Sequence, residues 1–288
     1  MSQTINFDNV MKANKATING TVSAINITDD FNKNGTAVKR GNLTVTVGES
    51  DIVVEVYMAE TYNSGKENSS YKILETLAQG AMYSFDCSLE ENKFVPANGT
   101  NEIARSYRIR VNFINRMRDF DTEGATFEYG GIVIQPLAEV NNKEGDVVNY
   151  NIIIGQPQYY TDRGFNAFRF NVDPRNTNLI NAVRENLNRS DTVKVRGEIV
   201  TTVTQSEVVE EALFGESQTK TYQNVFTNFN ITGGYSVPEE QIYSEEQIAS
   251  LSQNTKNYEN ELRNNSQKTA STSKTASVKN DPLGVFGL

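Results

Sequence analysis

The chain has 288 residues, with 36 acidic against 27 basic side chains for a net charge of −9, one cysteine and no histidine. Without histidine there is no imidazole base for a serine or cysteine triad and no usual catalytic zinc site, and the lone Cys87 excludes an internal disulfide and a cysteine-rich metal site. A hydrophobic fraction of 37% is low for one large core but adequate for two small ones with a polar tail; with no apolar run of about 18 residues and no charged-then-apolar start, a cytoplasmic protein is expected.

From the amino terminus, ATINGTVSAINIT reads as a strand, and GNLTVTV with DIVVEVYM as two more around the turn Gly48-Glu49-Ser50. SSYKILETLAQG then places Ile73, Leu74, Leu77 and Ala78 on one helical face, with serine as the cap and Gly80 as the stop. A strand over 81–89 follows, and after it SYRIRVNFINRMR. Alternation along that last stretch sends Tyr107, Ile109, Val111 and Phe113 to a core and Arg108, Arg110 and Asn112 to the other face.

After the joint DFDTEG the order repeats. ATFEYGGIVIQPLAEV is a strand, NYNIIIG and FNAFRFNV are two more around Thr161-Asp162-Arg163-Gly164, and Thr177 or Asn178 can cap the helix NLINAVRENL. TVKVRGEIVTTV and TYQNVFTNFNI close the unit. Each half therefore reads strand, strand, strand, helix, strand, strand. That is the order of the five-stranded Greek-key barrel, the OB-fold, which takes oligonucleotides across its second and third strands and the adjoining loops. The expected fold is mainly β: two tandem OB-fold barrels over 1–124 and 125–238, each with one helix, and a tail over 239–288. A β-sandwich accommodates the same strands but does not call for a helix at the same place in each half.

In the tail, EEQIYSEEQIASL forms a short helix with Ser244 and Gln247 spaced as a capping box, and 252–280 reads as a flexible polar linker. The terminus DPLGVFGL restores apolar side chains, so Asp281, Pro282, Phe286 and Leu288 are candidates for partner binding.

Single-stranded nucleic acid is held by cations along its phosphates and aromatic faces under its bases. In the first half the candidates are Lys33, Lys39 and Arg40 before the second strand, Tyr57 and Tyr62 on and after the third, and Arg105, Arg108 and Arg110 on the fifth. In the second half they are Tyr160, Arg163 and Phe165 beside the turn, Arg169 on the third strand and Phe226 on the fifth. No segment is basic on balance, but screening within about 8–10 Å lets a local groove be positive while acidic surface elsewhere repels duplex DNA. Glycine-rich phosphate loops of the GxGxxG type are absent, and the pairs Asp29-Asp30, Glu90-Glu91 and Glu210-Glu211 sit in polar, turn-like stretches. A binder without cofactor or metal is expected, not an enzyme.

Over residues 16–235 the order of elements resembles single-stranded DNA-binding proteins of the OB-fold class, tandem-barrel bacteriophage type. The resemblance implies a protein that coats single-stranded DNA in replication or recombination, and replication or recombination proteins as partners of the tail, where Asp281-Pro282 and Phe286 are similar to the family's acidic, aromatic tip. A phage virion β-protein and an OB-fold adaptor that binds only protein are the alternatives. Salt-sensitive affinity for oligonucleotides separates the first reading from both.

Overall fold

A computed structural model describes residues 5–97, 100–117, 122–210 and 218–276. The first barrel comprises β1 (Asn14–Phe31), β2 (Ala37–Val47), β3 (Ser50–Ala59), α1 (Ser69–Glu75), β4 (Met82–Phe94) and β5 (Ala104–Arg116). The second repeats the plan with β6 (Gly124–Asn141), β7 (Val147–Pro157), β8 (Phe165–Val172), α2 (Thr177–Asn186), β9 (Thr192–Glu210) and β10 (Gln218–Tyr235); α3 (Glu245–Ala276) follows.

Both barrels close in the same way. In the first, β1 pairs with β4 through its early residues and with β2 through its later ones, and β3 meets β5 in parallel at Glu55 and Arg110. In the second, β6 pairs with β9 and then β7, and β8 meets β10 in parallel at Asn171 and Asn230. The first strand changes partner at Thr21 and at Ile132, each time just after a glycine that the neighbouring strand crowds. A Cβ at Gly20 would lie 2.4 Å from the Thr46 carbonyl oxygen, and one at Gly131 2.2 Å from that of Gly155. These are two OB-folds in tandem.

The barrels are not separate beads, because β1 and β6 pair antiparallel from Asn14↔Tyr129 to Asn19↔Gly124 and join all ten strands in one sheet. Their interiors merge into a single apolar core holding Ile18, Leu43 and Phe85 on one side and Phe127, Phe168 and Phe170 on the other. Tyr107 of β5 bridges the two, its ring 4.8 Å from that of Phe168.

Several local expectations are corrected. Phe113 is 49% exposed and Ile114 is buried in its place, because the β4–β5 register slips between Asp86 and Cys87 and a bulge at Asn112 inverts the alternation beyond it. The helix caps are Asn68 and Asn176, each just ahead of the residues expected to cap, a serine for the first helix and Thr177 or Asn178 for the second. Asn68 accepts from Ser70 N and Asn176 from Leu179 N, their amide oxygens meeting free N–H groups of the first turn. α1 also stops at Glu75, short of Gly80.

The largest departure is the tail. The capping box is present, with Ser244 Oγ accepting from Gln247 N at 3.2 Å and Gln247 Oε1 from Ser244 N at 2.9 Å. The helix it starts continues to Ala276, over the described part of the stretch expected as a linker. The reason is tertiary: Leu251 is buried against Phe7, Ile132, Phe165 and Tyr243, and Thr255, Tyr258 and Glu259 follow on one side of the helix to meet both barrels. Asp281, Pro282, Phe286 and Leu288 lie outside the described residues.

Candidate nucleic-acid interface

The outer face of β4 and β5 carries Ser88 opposite Arg110 and Glu90 opposite Arg108, while the intervening Leu89, Ile109 and Val111 fill the barrel. Arg108 Nη1 donates to both carboxylate oxygens of Glu55 on β3, at 2.9 and 3.1 Å, and Arg108 Nε lies 3.5 Å from Glu90. Arg110 reaches Glu90 at 3.4 Å, and its guanidinium sits 5.7 Å from the centre of the Tyr57 ring. Both arginines stay partly exposed. Ion pairs of this kind contribute only about 0–1 kcal/mol to stability, so their main effect is to hold two guanidinium groups side by side.

The facing wall comes from the second barrel. A 3-10 turn at Thr161–Arg163 stands between β7 and β8 and presents Arg163 between two rings, 5.0 Å from the centre of Tyr160 and 5.5 Å from that of Tyr258 on α3. Helix and turn are locked together: Thr255 Oγ1 accepts from Phe165 N at 2.9 Å, and Asn254 Nδ2 donates to Thr161 O at 3.0 Å. Gly164 makes this approach possible. Its φ is +77°, and a Cβ there would lie 2.2 Å from Thr255 Oγ1 and 2.7 Å from Leu251 O.

Below the two walls lies a buried charge network. Glu91 accepts from Arg105 Nη1 at 2.6 Å and from Ala167 N at 3.0 Å, and pairs with Lys93 at 3.5 Å. Arg105 Nη2 also donates to Glu259 of α3 at 2.6 Å. Burial alone would lower the Arg105 guanidinium, but Glu91 and then Glu259 outweigh it and hold it above its ordinary value. Asn166 adds neutral bonds, accepting from Glu91 N at 2.7 Å and donating to Leu89 O at 3.0 Å. One set of polar contacts therefore fixes β4, β5, β8 and α3 relative to each other.

Between the walls is a cleft of about 570 Å³ whose lining includes Arg108, Arg110, Gln156, Tyr159, Tyr160, Arg163 and Tyr258. Its charged lining is four cations, Lys93, Arg108, Arg110 and Arg163, against Glu90 and Glu91, in a chain that is acidic overall. The YorF family model matches residues 12–266, a stretch that takes in both barrels and the described side chains of α3. The chain belongs to the YorF family. No curated protein matches it. Among solved structures, the wild-type single-stranded DNA binding protein from Thermus aquaticus is similar at 12% identity and a TM-score of 0.46, over 79% of this chain and 94% of that one. A deletion mutant of the same protein gives 12% and 0.48 over 82% and 98%. A replication protein A heterotrimer bound to ssDNA gives 11% and 0.23 over 85% of this chain and 53% of that one.

In this YorF-family chain, Arg108, Arg110, Tyr160 and Arg163 come together in the cleft, with Tyr57 on the adjoining outer face and Arg40 directly across the β2–β3 ladder from it. Arg40 is exposed and paired with Asp30 at 2.7 Å. Lys33 is exposed at the tip of the β1–β2 turn, and Arg169 and Phe226 are exposed on β8 and β10, with the Arg169 guanidinium 5.9 Å from the Tyr107 ring centre. Three expectations need correction. Phe165 is 6% exposed, packed with Phe7, Met11 and Leu251, because the helix covers the turn that would otherwise present it. Arg105 is committed to Glu91 and Glu259. Lys39 is largely covered, held by Asp29 at 2.6 Å and lying 5.1 Å from the Tyr71 ring centre. Tyr62 is exposed, but its hydroxyl donates to Asn68 Oδ1 at 3.1 Å, in the loop that caps α1.

Tyr258, Gln156 and Asn14 belong to the cleft but carry no signal in the sequence. Tyr258 sits in a polar run with nothing apolar at helical spacing beyond Leu251 and Leu262, and only the docking of α3 gives it a position. A second cavity, of about 530 Å³, lies against α2 and is lined mainly by apolar side chains such as Val183, Val195, Ile231 and Ile242. Lys194, paired with Glu128 at 2.9 Å, is the one cation in its lining, against four in the cleft between the barrels.

Proposed function

We propose that this protein binds single-stranded DNA without catalysis, coating the strand during replication or recombination of a bacteriophage genome in the host cytoplasm, with the inter-barrel cleft as its primary contact. One observation carries the reading. Arg108 and Arg110 from one OB-fold and Tyr160 and Arg163 from the other converge on a single cleft, with Tyr258 completing it. Phosphates need spaced guanidinium groups and bases need exposed rings, and each stacked base contributes about 1–3 kcal/mol.

The preformed pairs of Arg108 and Arg110 with Glu55 and Glu90 are compatible with this role. A phosphate replaces one half-exposed carboxylate by another anion, and the guanidinium is already oriented. The acid-rich exterior disfavours duplex, whose charge density responds to broad basic surfaces. Replication or recombination proteins are the proposed partners of the chain's apolar terminus.

Titration of labelled dT and rU oligomers at two salt concentrations, with duplex of the same length as control, tests the proposal. Single-strand affinity that falls with salt is expected. Absence of binding, or binding indifferent to salt, would overturn it in favour of a structural or adaptor protein.

A further inference from the structure

Gln156 closes the cleft beside the arginines and tyrosines, and it is 5% exposed. Its amide lies against the Tyr129 phenol, yet Oε1 meets no hydrogen-bond donor among the described residues. A carbonyl oxygen buried in this way forfeits its hydration for nothing in return from the protein, and it calls for a donor supplied by water, an ion or a ligand. Arg108 lines the same cleft, and its Nε is likewise buried without a hydrogen bond, 3.5 Å from Glu90. An unmet acceptor and an unmet donor thus belong to two residues that line one polar recess, beside the Tyr160–Arg163–Tyr258 group that offers ring faces.

A phosphate would not answer this pair, because it brings no donor for a carbonyl oxygen. An aromatic heterocycle with an amino group next to a ring acceptor does answer it. We infer that the cleft reads one base of the bound strand, favouring cytosine or adenine over thymine, with Gln156 Oε1 accepting from the exocyclic amine. Thymine's only ring donor lies between two carbonyl oxygens, both of which would be driven toward the Gln156 oxygen. The inference rests on the nucleic-acid reading above and adds a base preference to it. Gln156 then sets specificity, while Arg108, Arg110 and Arg163 supply phosphate affinity that does not depend on sequence.

The test is competition among dC, dA and dT oligomers of equal length for the full chain and for Gln156→Leu and Gln156→Met. For the unaltered protein, dC or dA should bind about fivefold more tightly than dT, the equivalent of one neutral hydrogen bond. Both variants should keep the salt slope, which reads the phosphate contacts, and should lose the difference between bases. Methionine matches glutamine in length and removes the unmet acceptor, so Gln156→Met should also unfold at the same or higher urea concentration. Equal affinity for all three oligomers, or a preference that survives in both variants, would overturn the base reading while leaving single-strand binding intact. A variant that unfolds at lower urea and keeps the preference would make Gln156 a structural residue bonded through water. No binding to any oligomer would overturn the nucleic-acid reading and this inference with it.

Discussion

Changing Arg108 and Arg110 together to glutamine is the most direct probe of the cleft, because the structure separates its effect on folding from its effect on binding. Each guanidinium is roughly one-third exposed and paired with carboxylates that are themselves partly exposed, so the fold should lose no more than about 1 kcal/mol per pair. The barrel side of β5 is untouched, since Ile109 and Val111 point inward. Binding should change in a characteristic way. A single-strand phosphate contact contributes about 0.7 to the slope of log affinity against log salt, so losing two flattens the slope by about 1.4. Between about 50 and 200 mM salt the wild type should then lose roughly sevenfold more affinity than the variant. Fluorescence anisotropy with a labelled dT oligomer across that range reads the slope, and urea unfolding reads stability. Glu90→Gln supplies the opposite perturbation. Glu90 is shared by both arginines, so removing its charge should raise affinity with little effect on stability. Wild-type affinity and slope in the double arginine variant would refute the reasoning and leave the row of arginines as solvated surface.

Val111→Asp should unfold the first barrel, because a carboxylate without a partner at a 2% exposed position costs several kcal/mol; circular dichroism and urea titration would register it. Glu91→Ala leaves Lys93, its side chain 1% exposed, with Glu259 at 3.7 Å as its one carboxylate among the described residues, so a loss of about 3–5 kcal/mol in urea unfolding is expected. Gly164→Ala places a Cβ against Thr255 at a positive φ, which should loosen α3 and speed proteolysis within 245–266 without melting the barrels. Alkali should destabilise the fold. Burial, with Asp86, raises the Cys87 thiol above its ordinary 9.0, and burial, with Glu91, raises Tyr129 well above 10.0. Above pH 9 the unfolded chain sheds protons that the folded chain keeps, so the stability present below that pH is lost as pH climbs, and urea midpoints at pH 8 and pH 10 should show the fall. Native Cys87 should accordingly resist a thiol reagent at pH 8 and react after unfolding.

The sequence by itself determined the barrels. Alternation is a local property, so Val54, Val56 and Met58 in β3 and Phe168 and Phe170 in β8 announced their faces, and the helix recurring between third and fourth strands announced the topology. It also placed Arg108 and Arg110 outside and Tyr160 with Arg163 on a loop, since these follow from strand phase and turn position. What pairs with what was not local. The bulge that turns Phe113 outward exists only in the β4–β5 register, and no property of NFIN alone fixes it. Residues 252–266 have too few apolar groups to hold a helix by themselves, so α3 depends on a groove made from β8, the 3-10 turn and the amino-terminal segment around Phe7 and Met11. That same docking buried Phe165, drew Arg105 to Glu259 and brought Tyr258 to Arg163. Only tertiary structure decided these three positions, because each depends on a surface contributed by residues more than about 70 positions away, and no local pattern encodes such a distance.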